Sequence, residues 1–240
     1  MSRLERNKEI INTDINSVKD FKISYSTNER TRAFIKVQDG CNYLCTYCTI
    51  PNARGNSRSL NIKKTIEHIK DIVDSGAKEI VLSGINVGDF GVNYNENLAM
   101  LLQEIEKISK LQRYRISSIE PNLITNDIIK IISNSNKALP HFHIPLQSGS
   151  NKILSKMKRR YNRKQYRKII KEVITEIPHV SIGADVIVGF PGETKKDFLE
   201  TYSFIEDLDI AYLHVFKFSD RMNTYAYNIN DKVCEQYKSE

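Results

Sequence analysis

From residue 33 to residue 216, short apolar runs alternate with longer stretches whose apolar residues recur at helical spacing. The short runs predict strands, and the longer stretches predict amphipathic helices. A helix between two strands returns the chain to the same end of the sheet, so the strands run parallel. The pattern predicts an α/β fold, either a (β/α)6 partial TIM barrel or an open doubly wound sheet. The predicted strands are 33–38, 79–83, 114–118, 142–145, 181–188 and 211–216, and the predicted helices are 60–75, 98–108, 125–133, 162–177 and one capped by Thr194.

The polar flanks of this alternating region set the predicted domain limits. Residues 1–31 are polar and weakly periodic, which predicts a linker or the remnant of an upstream domain. Residues 32–220 form the predicted core, and residues 221–240 form a predicted polar tail that leads towards a further domain. No stretch approaches the ~20 apolar residues of a membrane span, and no signal peptide follows Met1. We therefore expect a soluble cytoplasmic protein without a membrane partner.

Small and polar residues directly follow the predicted strands. Because the carboxyl ends of parallel strands meet at one rim of a barrel, these residues are expected to share a single site. In chain order they are Ser83, Gly84 and Asn86 after the second strand, Glu120 after the third, Gln147 and Ser148 after the fourth, and Gly189 and Glu193 after the fifth.

Three of the four cysteines form a C-x3-C-x2-C cluster after the first predicted strand, at Cys41, Cys45 and Cys48. Three thiolates in one loop can hold a [4Fe–4S] cluster, which usually takes four cysteine ligands. The absence of a nearby fourth cysteine indicates one iron left open for another ligand. The alternative is a zinc site completed by a distant histidine or by Cys234, since structural zinc takes four such ligands.

Residues 37–55, which contain these cysteines, resemble the signature of radical S-adenosylmethionine (SAM) enzymes and, more narrowly, of the methylthiotransferases. Further blocks of the same resemblance are Leu-Ser-Gly-Ile-Asn at 82–86, the blocks at 143–150 and 185–194, Ser-Ser-Ile-Glu-Pro at 117–121 and Tyr-Leu-His-Val-Phe at 212–216. The last two look most like the branch that modifies N6-threonylcarbamoyladenosine in tRNA. The resemblance implies the partial TIM barrel of radical SAM enzymes.

The resemblance also implies roles for the residues at the rim. The three cysteines would ligate three irons of a [4Fe–4S] cluster, and SAM would chelate the fourth iron. Tyr47 would pack near the adenine of SAM, residues 83–86 would contact its amino group, and Glu120 would bind its ribose or amino group. For each rim residue, an ordinary polar or tight turn is the alternative interpretation. The other residues expected to bind the cofactor are Gln147, Ser148, Gly189 and Glu193.

Residues 158–168 carry seven basic side chains, no acidic one and two tyrosines. Basic side chains neutralise phosphates, and aromatic rings stack on bases. The net charge of +7 permits a polyanionic partner but does not require one. We therefore predict tRNA contacts from this segment, with a solvated helix face as the alternative. The predicted RNA-binding residues are Lys158, Arg159, Arg160 and Arg163.

The reaction implied by the resemblance is radical methylthio transfer. An electron donor reduces the cluster, SAM yields a 5′-deoxyadenosyl radical, and a methylthio group is added at C2 of N6-threonylcarbamoyladenosine next to the anticodon. The alternatives are the same chemistry on isopentenyladenosine in tRNA or on an aspartate of a ribosomal protein, a non-catalytic zinc-stabilised RNA-binding module, or a decayed fragment.

The sequence departs from the full-length pattern of that family. Full-length members carry an N-terminal domain with three further cysteines for a second cluster, and a small C-terminal RNA-binding domain. The 240 residues contain neither pattern. We therefore expect this chain to bind a cluster and SAM but not to methylthiolate tRNA unaided.

Overall fold

The computed structural model describes residues 15–27 and 32–239. Within these ranges there are nine strands and seven α-helices. The strands are β1 (Ser24–Thr27), β2 (Arg32–Lys36), β3 (Gln38–Asp39), β4 (Arg58–Ser59), β5 (Glu79–Ser83), β6 (Arg113–Ile116), β7 (His141–His143), β8 (Ser181–Val188) and β9 (Tyr212–Lys217). The helices are α1 (Ile50–Arg54), α2 (Ile62–Asp74), α3 (Leu98–Glu106), α4 (Asn126–Ser133), α5 (Asn151–Lys156), α6 (Arg163–Glu176) and α7 (Lys195–Glu206).

Six parallel strands follow one another in chain order across two sheets. The first sheet has the order β1-β2-β5-β6, and the second has the order β7-β8-β9. Backbone hydrogen bonds link the sheets, because the Tyr114 N–H donates to the Lys137 carbonyl at 3.0 Å and the Leu139 N–H donates to the Tyr114 carbonyl at 2.8 Å. A doubly wound sheet would reverse its strand order part-way. The unreversed order confirms the (β/α)6 partial barrel.

The helices pack their apolar stripes against the outer face of this curved sheet. In α2, Ile66, Ile69 and Val73 are buried, and the Asn61 side chain caps the helix by accepting from the Lys64 N–H at 2.9 Å. These residues lie three or four positions apart, which places them on one helix face. The hydrophobic periodicity thus predicted both the helix and the side of it that is buried.

The predicted boundaries lie within two residues of the observed ones, and those of β5 and β8 coincide with them. The largest difference is at the first strand, where the predicted segment 33–38 divides into β2 and the two-residue strand β3. Strand β3 leaves the main sheet and pairs antiparallel with β4 instead. This change of partner turns the chain into the cysteine loop.

Two segments predicted as a linker and a tail carry ordered structure. In the predicted linker, β1 pairs antiparallel with β2 and becomes an edge strand of the first sheet. Residues 1–14 and 28–31 of that linker lie outside the described residues. In the predicted tail, the Ala226 N–H donates to the Thr46 carbonyl at 2.8 Å, which places the tail against the cysteine loop. Across residues 15–27 and 32–239, none of the helices has the length and apolar character needed to cross a bilayer.

Candidate active site

The cysteine loop lies at the carboxyl end of β2, between β3 and α1. The loop is closed at its base, where the Cys41 N–H donates to the Gly55 carbonyl at 3.0 Å. Gly40 has a φ of +72°, and a Cβ there would lie 2.1 Å from the Asn56 carbonyl oxygen. Only glycine therefore fits at this close approach of two backbones.

Backbone amides inside the loop point at two of the thiols. The Tyr43 N–H donates to Cys41 Sγ, and the Ile50 N–H donates to Cys48 Sγ, each at 3.4 Å. The three thiols are free and half-buried. Burial raises the pKa of Cys41 to about 11 and also raises the pKa values of Cys45 and Cys48. The unligated thiols are therefore neutral at pH 7, and metal binding releases their protons.

Arg159 lies beneath the loop with only 3 % of its side chain exposed. Its Nη1 donates to Cys45 Sγ at 3.2 Å and to Tyr47 Oη at 3.3 Å, and its Nη2 pairs with Glu120. Burial raises the pKa of the Tyr47 phenol above its usual range. Arg159 therefore joins the cysteine loop to Glu120, in the segment between β6 and α4.

The turn after β5 is held against the cysteine loop by Gln38. The Gln38 side chain accepts from the Asn86 N–H at 2.8 Å, and its own amide donates to Ser57 at 2.9 Å. A Cβ at Gly84 would lie 2.9 Å from the Gln38 carbonyl oxygen, so the two segments touch. Asn86 donates to Asp89 at 2.9 Å, while its side-chain oxygen Oδ1 is buried without a partner.

A cavity of about 330 Å³ opens beside Tyr47 of the cysteine loop, on the inner side of β8 and β9. Asp185 in its wall accepts from His143 Nε2 at 3.0 Å and from His214 Nδ1 at 3.2 Å. Although burial opposes ionisation, these two imidazoles hold the pKa of Asp185 below its usual range. The lining residues are Tyr47, Gln147, Asp185, Ile187, Phe216, Lys217, Phe218, Ser219 and Arg221.

Comparison with known proteins places this geometry in a family. Residues 35–205 match the Radical SAM superfamily. This chain belongs to the radical SAM superfamily. It is 43 % identical over 214 residues to the threonylcarbamoyladenosine tRNA methylthiotransferase MtaB of Bacillus subtilis, a match that covers 88 % of this chain and 48 % of that protein.

One further relative in sequence and one solved structure are also similar to this chain. The chain is 40 % identical to the tRNA-2-methylthio-N(6)-dimethylallyladenosine synthase of Clostridium tetani, over 87 % of this chain and 46 % of that protein. It superposes on the radical SAM methyltransferase TsrM from Kitasatospora setae with a TM-score of 0.68 and 15 % identity, covering 81 % of this chain and 38 % of TsrM. The chain thus spans about half the length of the curated relatives it matches.

The cysteine loop fits the [4Fe–4S] cluster of a radical SAM protein better than it fits zinc. Among the described residues, His143, Asp185 and His214 form the group whose ligand atoms all lie within 4.8 Å of one another. The three thiols do not form such a group. A zinc ion would need them that close together, because it lies about 2.3 Å from each of its thiolate ligands. A four-iron cluster binds each thiolate through a different iron and so takes more widely spaced sulfurs.

The buried Asn86 Oδ1 fits SAM, since an unpaired buried acceptor needs a donor such as the amino group of that cofactor. Tyr47 and Gln147 share the wall of the cavity, as the sequence placed them at one rim. Ser83 lies at the end of β5, where its carbonyl accepts from the Val37 N–H at 2.9 Å. The cofactor assignments of these residues remain predictions.

Three residues predicted to bind the cofactor face other partners. Ser148 is fully buried and lies 3.2 Å from the Thr201 hydroxyl of α7, on the outer side of the sheet. Glu193 accepts from the Gly189 N–H, so its carboxylate closes its own loop. Gly189 has a φ of +76° and lies under the Lys238 side chain, which a Cβ would meet at 2.4 Å. These three positions stabilise loops around the site.

The predicted RNA-binding residues separate into three environments. Lys158 and Arg160 are exposed beside the cysteine loop, and the Arg160 guanidinium lies 3.7 Å from the centre of the Tyr43 ring. Arg163 lies over the Phe204 ring in the helical layer. The prediction for Arg159 is wrong as a surface contact, because its guanidinium is buried against Cys45 and Glu120. The sequence alone does not distinguish the buried Arg159 from its exposed basic neighbours.

Sequence reasoning missed Gln38, Asp89, Asp185 and His214. Period-two alternation was the available signal for Asp185, because Ile182, Ala184 and Val186 face the helices and the residues between them face the barrel interior. His143, which lies in one of the blocks of the family resemblance, hydrogen-bonds Asp185 through Nε2 at 3.0 Å.

Proposed function

We propose that this chain is the radical SAM core of an enzyme that methylthiolates N6-threonylcarbamoyladenosine in tRNA. The observation that carries the proposal is the cysteine loop, with an unpaired Asn86 acceptor in the turn held against it and a 330 Å³ cavity walled in part by Tyr47 of the loop. Similarity to MtaB over 88 % of the chain supports the reaction and the substrate. When bound, the cluster and SAM supply the radical chemistry, and an electron donor starts each turnover.

The chain's own residues bind the cofactors and orient the substrate base. Cys41, Cys45 and Cys48 would hold the cluster, while Asn86 would accept from the amino group of SAM and Tyr47 would lie beside its adenine. The target base enters the cavity, where the ionised Asp185 accepts from an exocyclic N–H of the N6 substituent. A positioned acceptor of this kind fixes the target atom near the reacting carbon, which is the main contribution a protein makes to such chemistry.

Lys158 and Arg160 are placed to contact the phosphates of the bound tRNA. Both are exposed, and Arg160 lies beside the cysteine loop, where its Nη2 donates to the Asn42 carbonyl at 3.4 Å. Charge contacts of this kind position a nucleic acid without reading its sequence. The substrate base would then be selected in the cavity rather than at this surface.

Nucleoside analysis of tRNA tests the proposal. A strain without the gene is expected to lose 2-methylthio-N6-threonylcarbamoyladenosine and to accumulate the unmethylthiolated nucleoside. The intact gene should restore the modification, and a Cys45→Ala copy should not. Loss of the methylthiolated isopentenyl nucleoside instead would assign the reaction of the Clostridium tetani relative. Unchanged tRNA would reject both substrates.

The cofactor half of the proposal has a separate test. Anaerobic reconstitution of the protein should load roughly four irons at this site. The electron paramagnetic resonance signal of the reduced cluster should shift when SAM is added, because SAM binds the open iron. A colourless protein that contains zinc would overturn the proposal and favour the structural module.

A further inference from the structure

Arg159 is a buried cation in contact with the cysteine loop, and polar groups surround its guanidinium. The guanidinium uses its fork of donors on four groups, which are Cys45, Tyr47, Glu120 and Tyr161. A charge that is 3 % exposed is costly unless it is paired and hydrogen-bonded. Here both conditions are met, so the position is specific for arginine rather than lysine.

Backbone geometry directs this side chain inward. Helix α5 ends at Lys156, Lys158 has a φ of +54°, and the Arg159 N–H then donates to the Leu154 carbonyl at 2.9 Å. This tight turn reverses the chain just beneath the loop. The basic residues on either side of Arg159 stay exposed while Arg159 points in.

Tyr161 fixes the guanidinium from the other side. Its single hydroxyl hydrogen is shared between the carbonyls of Pro145 and Leu146, at 2.8 and 2.9 Å, and its oxygen accepts from Arg159 Nε at 3.1 Å. The guanidinium carbon also lies 5.1 Å from the centre of the Tyr161 ring. Arg159 is therefore held rigidly with one donor aimed at the Cys45 sulfur.

We infer that Arg159 is a positioning residue that hydrogen-bonds the Cys45 ligand of the bound cluster and raises the reduction potential of that cluster, while Glu120 partly offsets it. Reduction adds a negative charge, and a fixed positive charge with a donor on the sulfur stabilises the reduced form. The anionic Glu120 has the opposite effect. The inference goes beyond the proposed function, although it rests on cluster binding at this loop.

The test is a redox titration of the reconstituted whole protein, monitored by electron paramagnetic resonance in the absence of SAM. Arg159→Gln should lower the midpoint potential, because the charge and the donor on Cys45 are both lost. Glu120→Gln should raise it, because the offsetting anion is removed. Arg159→Lys keeps the charge without the fork and should fall between the wild type and Arg159→Gln.

Arg167→Gln is the matched control, because it removes the same charge from α6 at a side chain that pairs with Asp207. It should leave the potential unchanged. Iron content and circular dichroism of each variant show whether it has folded and loaded. If Arg159→Gln fails to load, the opposite signs expected for Glu120→Gln and Arg159→Lys decide the question.

Shifts of the same sign, or shifts no larger than that of Arg167→Gln, would overturn the inference and leave the proposed function standing. A wild-type protein that loads no cluster would overturn both. The potential is measured without SAM, so a change in SAM affinity cannot mimic the expected result.

Discussion

The cysteine loop and the inner face of β7–β9 build the two halves of the site in different ways. The loop draws its three thiols from eight consecutive residues, and glycine turns and backbone amides set their positions. The inner face instead combines His143, Asp185 and His214 from three separate strands. The chemistry of a local motif can be inferred from the sequence alone. Which side chains meet on one face of a sheet is known only once the register of its strands is known.

The largest expected effect is at the cysteine loop. Cys45→Ala should abolish cluster loading, because a three-thiolate site that loses one ligand cannot hold its cluster. Iron analysis and visible absorption after reconstitution measure the loss. Cys234→Ala is the control, since that cysteine is exposed and distant in sequence, and it should load normally. Equal loading of both variants would contradict the assignment of the loop.

A selective effect on turnover is expected at the inner face. Asp185→Asn should leave cluster loading and SAM binding intact but reduce methylthiolation by the whole protein about 10- to 100-fold, as expected for a lost charged hydrogen bond to the substrate. Single-turnover assays with tRNA measure this. The exposed Asp209→Asn should behave as the wild type. Impaired loading in Asp185→Asn would show that the two halves are not separable.

Asp197 tests whether the outer side of the rim is structural. Its carboxylate accepts from Lys152 at 2.7 Å and from the Ser150 hydroxyl at 2.9 Å, which ties α5 to α7. Asp197→Asn should lower the free energy of unfolding by about 2 kcal/mol. Urea denaturation measures this, and loading of the cluster should be unchanged. A variant with normal stability but no cluster would reverse the interpretation.

The same residue predicts a pH dependence. Although burial opposes ionisation, the hydrogen bonds from Lys152, Thr194 and Ser150 hold the pKa of Asp197 well below its usual range. A depressed native pKa contributes stability above the unfolded value of about 3.9, and that stability is lost as the pH falls further. The difference in unfolding free energy between wild type and Asp197→Asn should therefore be full at pH 6 and shrink below about pH 4.

The smallest effects are expected at the basic surface. A Lys158→Gln/Arg160→Gln variant should weaken tRNA binding several-fold. It should also reduce the salt dependence of binding, because fewer phosphate contacts release fewer counterions from the tRNA. Filter binding at two salt concentrations measures both quantities. Arg163→Gln should have less effect, since that guanidinium lies over Phe204 in the helical layer. Equal effects of the two changes would indicate a broader RNA surface along α6.

Much of the fold followed from periodicity. The six parallel strands and the buried stripe of α2 were predicted because alternation and helical spacing are local properties of the sequence. The extra edge strand β1 was missed, because Ser-Tyr-Ser-Thr has no apolar pattern and gains its structure only by pairing with β2. The packing of the tail was missed for the same reason, since the two buried residues Thr224 and Ala226 do not give this polar stretch an apolar pattern.

The site divides along a similar line. The sequence by itself determined the cysteine loop and the rim on which it lies, because ligand spacing and strand polarity are fixed by chain order. Only the tertiary structure decided that Arg159 faces the thiols rather than solvent, that Ser148 faces α7, and that two histidines converge on Asp185. These outcomes depend on where side chains point once the backbone has folded, and the amino-acid composition does not specify those directions.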